Sequence, residues 1–302
     1  MTASKGCVGV IGATSIVGEF LLPLLVQEGY HVMAFSRQER EIQQTLEDDS
    51  IIWKCLIKSS TSDINNISPA ENKISYWINL APVWVLPQYF PMLLAYGARH
   101  IVTVSSTSKF TKSTSEDPAE KKLAERLKTA EEGLTVWAEK EKISFTILSS
   151  TMIYGLGRDG NISVIAAFIR RFSFFCVFGD ARGLRQPLYA NDVAFACVQA
   201  LKTRAAQNRF YHISGGEVLP YREMVCRIFS ALGKTPRLVQ FPLWFFRAAI
   251  IILRVFPRFR HWSFAMAERM NQDMVFDHSE ARRDLHFHPR KFRLDKNDLP
   301  KH

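Results

Sequence analysis

The sequence predicts an α/β protein in which a doubly wound parallel sheet is followed by a smaller C-terminal lobe. Two observations support this prediction. Short apolar segments alternate with helix-length segments through the first half of the 302-residue chain. The first apolar segment runs into a glycine-containing turn and then into a helical segment, which is typical of the first strand and helix of such a sheet.

Six segments have the length and apolar content of buried strands. They are Val8–Ile11, His31–Phe35, Ile51–Leu56, Tyr76–Leu80, Ile101–Val104 and Phe145–Leu148. The helical segments between them are Phe20–Gln27, Pro87–Tyr96 and Pro118–Lys140. Because crossovers between parallel strands are right-handed, these helices are expected to cover both faces of the sheet.

The turn after the first strand contains Gly12 and Gly18. Gly12 permits a tight turn, and Gly18 lets the following helix pack closely on the sheet. A helix that begins here offers backbone N–H groups to a pyrophosphate at its first residues, Thr14, Ser15, Ile16 and Val17. The pattern therefore predicts a Rossmann-type domain that binds a nicotinamide dinucleotide, with Ala81 after the fourth strand beside the same site.

The end of the second predicted strand indicates which dinucleotide is bound. An acidic residue at this point would bind the ribose 2′-hydroxyl of NAD(H), whereas an arginine accommodates the 2′-phosphate of NADP(H). The sequence has Ser36 and Arg37 here and no acidic residue. It therefore favours NADP(H) over NAD(H).

Charge and cysteine content restrict the class of protein further. A net charge of +10 favours anionic partners, but no separate Lys/Arg block or nucleic-acid motif is present, so a nucleic-acid partner is not expected. Five scattered cysteines without a C-x-x-C pair predict reduced thiols and a cytoplasmic protein. No histidine, cysteine or carboxylate set has ligand spacing on a plausible scaffold, so no metal is expected.

Further segments carry a family resemblance: Ile11–Gly18, Val102–Thr107, Ile153–Gly155, Arg185–Asp192 and Phe276–Leu285. In this order they resemble motifs of the extended or atypical short-chain dehydrogenases/reductases of the NAD-dependent epimerase/dehydratase group. The resemblance covers nearly the whole chain. We expect the dinucleotide-binding domain to span 1–157 with a return segment at 186–216, and 158–302 to form mostly a substrate-binding lobe.

The resemblance implies a catalytic tyrosine and lysine four residues apart on one helix, with the tyrosine exchanging a proton with the substrate oxygen. Lys128 aligns with the lysine, but Ala124 stands at the tyrosine position, so the usual proton donor is absent. Thr107 aligns with the active-site Ser/Thr that holds a substrate oxygen. Lys128 is expected to bind the nicotinamide ribose or to polarise that oxygen, and Tyr154 is the candidate substitute acid. Each of these residues also has a purely structural interpretation. Thr107 would then simply end a strand, Lys128 would be a solvated helix lysine, and Tyr154 would be a packed ring.

Two arginines near glycines, Arg158 and Arg185, are expected to face the cleft and bind substrate diphosphate oxygens bidentately. The family resemblance assigns Arg185 to a substrate phosphate. The alternative for both is an ordinary surface arginine.

The segments 166–178 and 241–262 combine many aromatic residues with arginines. The uninterrupted apolar part of 241–262 is too short to span a bilayer. It has two interpretations: peripheral contact with the inner face of a membrane, or burial against protein, for example in a homodimer. The second is favoured.

Two functions fit these observations. The first is an NADP(H)-dependent reductase or epimerase acting on a nucleotide- or lipid-diphosphate-linked sugar. The second is a non-catalytic NADP(H)-binding protein with a structural or sensing role, which the missing tyrosine suggests.

Overall fold

The computed structural model describes residues 5–37, 50–56, 73–246 and 264–301. The strands in these ranges, in chain order, are β1 (Cys7–Ile11), β2 (His31–Ser36), β3 (Ile51–Cys55), β4 (Tyr76–Asn79), β5 (His100–Ser106), β6 (Ser144–Ser150), β7 (Ile153–Tyr154), β8 (Phe175–Phe178), β9 (Leu184–Arg185), β10 (Leu188–Tyr189), β11 (Arg209–Ile213), β12 (Leu219–Pro220) and β13 (Leu238–Phe241).

The α-helices with both ends described are α1 (Ile16–Gln27), α2 (Phe90–Ala95), α3 (Ser108–Thr111), α4 (Pro118–Glu141), α5 (Ile162–Phe172), α6 (Ala190–Lys202), α7 (Tyr221–Ala231), α8 (Phe264–Arg269) and α9 (Ser279–Leu285). A 3₁₀ helix (Val83–Tyr89) runs directly into α2. Asp117 accepts a hydrogen bond from the N–H of Ala119 and so caps the start of α4.

Seven of the described strands form one parallel sheet in the order β3-β2-β1-β4-β5-β6-β11. The chain moves outward from β1 to β3 and then returns to the other side of β1 with β4. This reversal opens a crevice at the carboxyl ends of β1 and β4, which is where doubly wound sheets bind ligands. The Rossmann-type fold predicted from the sequence is confirmed.

Helices cover both faces of this sheet. On one face α1 and α6 pack together through buried residues that include Leu21 and Cys197. On the other face, Leu93 of α2 and Leu134 of α4 pack in a cluster with Trp77 of β4. Because the central strands are covered on both sides, they consist of near-continuous apolar residues rather than an alternating pattern.

A second core lies beyond β6, around α5 and α7. Ile165 of α5 packs with Met224 and Phe229 of α7. Phe292 and Leu299, from the segment after α9, are buried in the same cluster. The second lobe is therefore completed by a part of the chain that is distant in sequence from α5.

Of the two aromatic- and arginine-rich segments, the structure describes the first in full and only the start of the second. Residues 166–178 form the end of α5 and the strand β8, with Ala166 and Ile169 buried and Phe172 exposed. Residues 247–262 of the other segment lie outside the described residues, so neither interpretation of that segment is tested. Among the described helices, none combines the length and apolar content needed to cross a bilayer.

Candidate functional site

The turn after β1 brings Gly12 against the end of β4. Gly12 has a φ of +78°, a left-handed conformation that L side chains rarely adopt. A Cβ on Gly12 would stand 2.6 Å from the backbone nitrogen of Ala81. Only glycine lets these two backbones approach so closely, and their approach forms the floor of the crevice.

The start of α1 is arranged as an anion site. Ser15 is the N-cap, and its hydroxyl accepts a hydrogen bond of 3.1 Å from the N–H of Gly18. A Cβ on Gly18 would stand 2.1 Å from the carbonyl oxygen of Ala13, so glycine is required for the helix to pack on the turn. Ile16 and Val17 begin the helix, and N–H groups of a first helical turn have no acceptor within the helix. They and the positive end of the helix dipole suit a phosphate group.

Arg37 lies at the carboxyl end of β2, on the same edge of the sheet. Its side chain is exposed, whereas Ser36 is buried. Burial raises the pKa of Tyr89, and the nearby positive charge of Arg37 opposes part of this rise. Arg37 therefore lies near the 3₁₀ helix that follows β4, beside the crevice.

A cavity of about 850 Å³ extends from this crevice into the second lobe. Its sheet side is formed by the ends of β4, β5 and β6, including Ala81, Thr107 and Ser150. Its other side is formed mainly by apolar residues of the second lobe, such as Phe168 and Met270. A cavity of this size and position is the normal form of a small-molecule site.

Thr107 lines the cavity, and its hydroxyl donates a 3.1 Å hydrogen bond to the carbonyl oxygen of Ser150. The hydroxyl oxygen still has acceptor capacity. Its proposed contact with a substrate oxygen remains a prediction. Ala81 and Arg185 line the same cavity, so three of the residues predicted from the sequence lie around one space.

The structure contradicts the prediction that Lys128 lies in the site. Its side chain is 73% exposed, and its ammonium group lies 3.9 Å from Glu132. Leu127, one position earlier on α4, lines the cavity instead. One residue rotates the position around a helix by about 100°, so Leu127 rather than Lys128 faces the cavity. A leucine side chain cannot act as an acid or base.

A buried polar cluster forms between α4 and the end of β5, and the sequence patterns above do not predict it. Ser105 donates a hydrogen bond to Glu131 Oε1, and the ammonium group of Lys109 contacts Glu131 Oε2. The side chain of Glu131 is 5% exposed, and Ser105 lines the cavity. A carboxylate one turn after Leu127, on the buried side of an amphipathic helix, is the sequence signal that would have identified it.

The prediction that Tyr154 is the substitute acid is also wrong. Its ring is fully buried and packs against Tyr189 and Phe292, with ring centroids 5.2 and 5.1 Å away. Its hydroxyl donates to the carbonyl oxygen of Arg293 at 3.1 Å, and burial raises the pKa of Tyr154 well above its usual range. The side chain supports the second core and does not reach the cavity.

Arg185 lines the cavity, but its guanidinium group is engaged by the backbone. Its N–H groups donate to the carbonyl oxygens of Leu184 and Gln272 at 2.8 Å and to that of Arg269. The guanidinium carbon also lies 5.3 Å from the ring centroid of Tyr221. A phosphate would compete with three carbonyl acceptors, so the main role visible for Arg185 is to tie β9 to the segment after α8.

Arg158 does not line the cavity, which corrects the prediction that it binds substrate there. It forms an ion pair with Glu19 in the first turn of α1, and both side chains are partly exposed. Arg158 therefore bridges the second lobe to the start of α1 and lies outside the cavity lining.

A second charged cluster borders the cavity at α3 and α8. Glu120 contacts Arg269 and lies 3.7 Å from the ammonium group of Lys112, and both cations line the cavity. Burial lowers the pKa of Lys112 from its ordinary value. Asp117 also acts on Lys112, so both cations lie in the cavity lining while the carboxylates that balance them lie outside it.

The cysteines contribute no disulfide to the site: all five are free thiols. Burial raises the pKa of the cavity-lining Cys176. Within the described ranges, no three histidine, cysteine or carboxylate side chains come together in a way that could hold a metal ion.

Comparison with known families agrees with this geometry. Residues 90–214 match the model of the NAD dependent epimerase/dehydratase family. The matched region runs from α2 to the end of β11 and contains Thr107, Leu127 and Arg185. This match confirms the predicted family resemblance over residues 90–214. No curated protein matches the chain.

Solved structures of low sequence identity share the fold over almost their whole length. UDP-glucose 4-epimerase of Thermotoga maritima, solved with UDP-glucose, is 16% identical, with a TM-score of 0.65 and coverage of 94% of this chain and 93% of that one. UDP-glucuronic acid 4-epimerase of Bacillus cereus, solved with NAD, is 16% identical, with a TM-score of 0.66 and coverage of 97% and 95%. UDP-N-acetylglucosamine 4-epimerase of the same species is 16% identical, with a TM-score of 0.64 and coverage of 94% and 91%. At these identities the likeness shows a common fold.

Proposed function

We propose that this protein binds NADP(H) along the carboxyl edge of the sheet and transfers hydride between that cofactor and a sugar carried on a diphosphate. The observation that carries the cofactor proposal is the crevice formed by Gly12, Ala81 and the start of α1. The three epimerases described above share this fold, which supports a reductase or epimerase reaction. Arg37, in place of an acidic residue, supports NADP(H) over NAD(H).

The residues present suit a dinucleotide. The first turn of α1 receives the pyrophosphate, because it presents N–H groups and a helix dipole and because Gly12 and Gly18 keep side chains away from it. Arg158 and Ser15 lie at the same helix start and supply further donors. The cofactor supplies the hydride, and the chain supplies orientation and electrostatics. Thr107 holds the substrate oxygen at the end of β5.

A second candidate function is cofactor binding without turnover. The observation that favours it is that Leu127 is the α4 side chain that lines the cavity, and it cannot exchange a proton with a substrate. The chain then holds NADP(H) as a structural or sensing ligand. Steady oxidation of NADPH with any 4-keto sugar diphosphate would support the enzyme. Tight NADPH binding without oxidation across nucleotide-linked and prenyl-linked sugars would support the second function.

The Arg37→Ala variant tests the choice of cofactor. Loss of a charge-assisted contact to the 2′-phosphate is expected to weaken NADPH binding about tenfold, or about 1.4 kcal/mol, and to leave NADH binding unchanged. Titration calorimetry measures both. Arg99→Ala is the matched control, because Arg99 is exposed at the opposite edge of the sheet, just before β5. Equal weakening of both cofactors would contradict the NADP(H) assignment, and absence of binding to the wild-type chain would refute the cofactor site.

The Leu127→Tyr variant tests the register of α4. It places a phenol hydroxyl on the α4 side chain that lines the cavity, and NADPH oxidation with the keto-sugar panel is expected to rise about tenfold over wild type. Lys128→Tyr is the control, because the side chain at position 128 is largely exposed and should give no gain. A gain from Lys128→Tyr but not from Leu127→Tyr would show that our assignment of the cavity-facing residue is wrong. Thermal unfolding of each variant confirms that it is folded.

A further inference from the structure

One part of the second-lobe side of the cavity, formed by α5, β8 and the segment after α8, is lined by side chains that have no hydrogen-bonding groups. Val164 and Phe168 lie one turn apart on α5 and line the cavity together with Phe175 of β8. Met270 and Met274, on the segment after α8, line it as well. These five side chains offer carbon and sulfur surfaces, so they favour the burial of an apolar group.

The aromatic rings on this side support one another. The ring centroid of Phe168 lies 5.6 Å from that of Phe175 and 4.7 Å from that of Phe172. Phe178 also lines the cavity, and its ring centroid lies 4.2 Å from that of Phe246. Val164 is 61% exposed, so the apolar surface continues to the rim of the cavity. A long apolar group can therefore extend from the cavity outward along α5.

The same cavity has cations for a phosphate-bearing head group. Lys112 and Arg269 share one carboxylate, Glu120, and both line the cavity. The described residues that line this cavity include no carboxylate, because Glu120 and Asp117, which act on Lys112, lie outside the lining. Cations that face the cavity in this way attract an anion. The lining thus combines an apolar surface with a positive cluster.

A uridine or other nucleoside would lose hydration of its base and ribose against this apolar surface without regaining polar contacts, which is unfavourable. An aliphatic chain gains from the same surface. We propose that the ligand of this cavity is a sugar diphosphate linked to an isoprenoid-type aliphatic chain, with the chain against Phe168 and Phe175 and the diphosphate near Lys112 and Arg269. This inference rests on the proposed function, because it specifies the carrier of that sugar.

The test compares two diphosphates that differ in the attached group: farnesyl diphosphate and UDP. Titration calorimetry on the full chain, saturated with NADPH, is expected to show farnesyl diphosphate binding at least tenfold more tightly than UDP. Phe168→Ala should weaken farnesyl diphosphate about tenfold and change UDP less than twofold. Phe195→Ala is the matched control, because Phe195 is partly exposed on α6 and does not line the cavity; it should change neither by more than twofold.

Val164→Ser provides a second variant in case Phe168→Ala does not fold, since Val164 is largely exposed and its replacement disturbs no core. It should weaken farnesyl diphosphate several-fold and leave UDP unchanged. Equal or tighter binding of UDP by the wild-type chain would overturn the inference, and so would equal losses for both diphosphates in either variant. Titration of NADPH alone separates the two proposals: if NADPH fails to bind while farnesyl diphosphate binds as expected, the proposed function falls and the inference about the cavity's ligand chemistry stands.

Discussion

Replacing Glu131 with methionine is expected to lower the free energy of unfolding by about 3 kcal/mol, because the change leaves the Lys109 ammonium group without its buried counter-charge. Glu131 accepts from both Ser105 and Lys109, and the Lys109 side chain is only 14% exposed. Methionine has a similar volume to glutamate, so the loss is electrostatic rather than a cavity effect. Urea unfolding of the variant and the wild-type chain measures the difference.

The double variant Lys109→Met/Glu131→Met is the control for this prediction. Removing both charges is expected to return stability to within about 1 kcal/mol of wild type, since well-packed apolar groups often replace a buried ion pair at little cost. If the double variant is as unstable as Glu131→Met alone, the loss does not come from an unpaired Lys109, and the proposed explanation is wrong.

Stability is expected to fall by about 2.5 kcal/mol between pH 7.5 and pH 4.5 because of His100 alone. His100 is buried at the start of β5, and this burial lowers its pKa from 6.5 to about 4. The unfolded chain therefore binds a proton between about pH 6.5 and pH 4 that the folded chain does not bind. Stability present above pH 6.5 is lost as the pH falls through this window, with no further loss from His100 below about pH 4.

The geometry around His100 explains why protonation is unfavourable. Thr146 Oγ1 donates to the carbonyl oxygen of Ala206 at 2.7 Å, so it accepts from His100 Nε2 at 3.0 Å, and Nδ1 has no partner among the described residues. A second proton on Nδ1 would be buried without an acceptor. Urea unfolding at both pH values should show that His100→Gln loses most of this pH dependence. His31→Gln, at the exposed start of β2, should keep it; an unchanged dependence in His100→Gln would exclude this residue as its source.

The fold could be predicted because its signals are local and repeated. All six predicted strands and the long helix over 118–140 lie within two residues of their observed bounds at both ends. The apolar period of α1 becomes visible only at Phe20, although the helix begins at Ile16, because its first turn directly follows the glycine turn and lacks a regular apolar period. The sequence pattern predicts a doubly wound parallel sheet but not the order of its strands. That order comes from the observed strand pairing.

The site was predicted less well, because it depends on helix phase and on contacts that are distant in sequence. Alignment placed Lys128 in the site, but a shift of one residue rotates it to the solvent side of α4 and brings Leu127 to the cavity. Tyr154 and Arg185 were predicted to face the cleft with free polar groups. Their hydroxyl and guanidinium groups are satisfied by carbonyl oxygens more than 80 residues away, which no local pattern reveals.

The segment after α9 has a consequence for how the protein is made. It supplies Phe292 and Leu299 to the second core, the carbonyl oxygen of Arg293 to Tyr154, and that of Pro300 to Arg170, which is 130 residues earlier. The parallel strands β1 to β6 can pair on the ribosome as they emerge, because their partners are already synthesised. The lobe around α5 cannot be completed in this way, because part of its apolar surface is covered by residues 292–300. Until those residues leave the exit tunnel, that surface stays exposed to water and to chaperones.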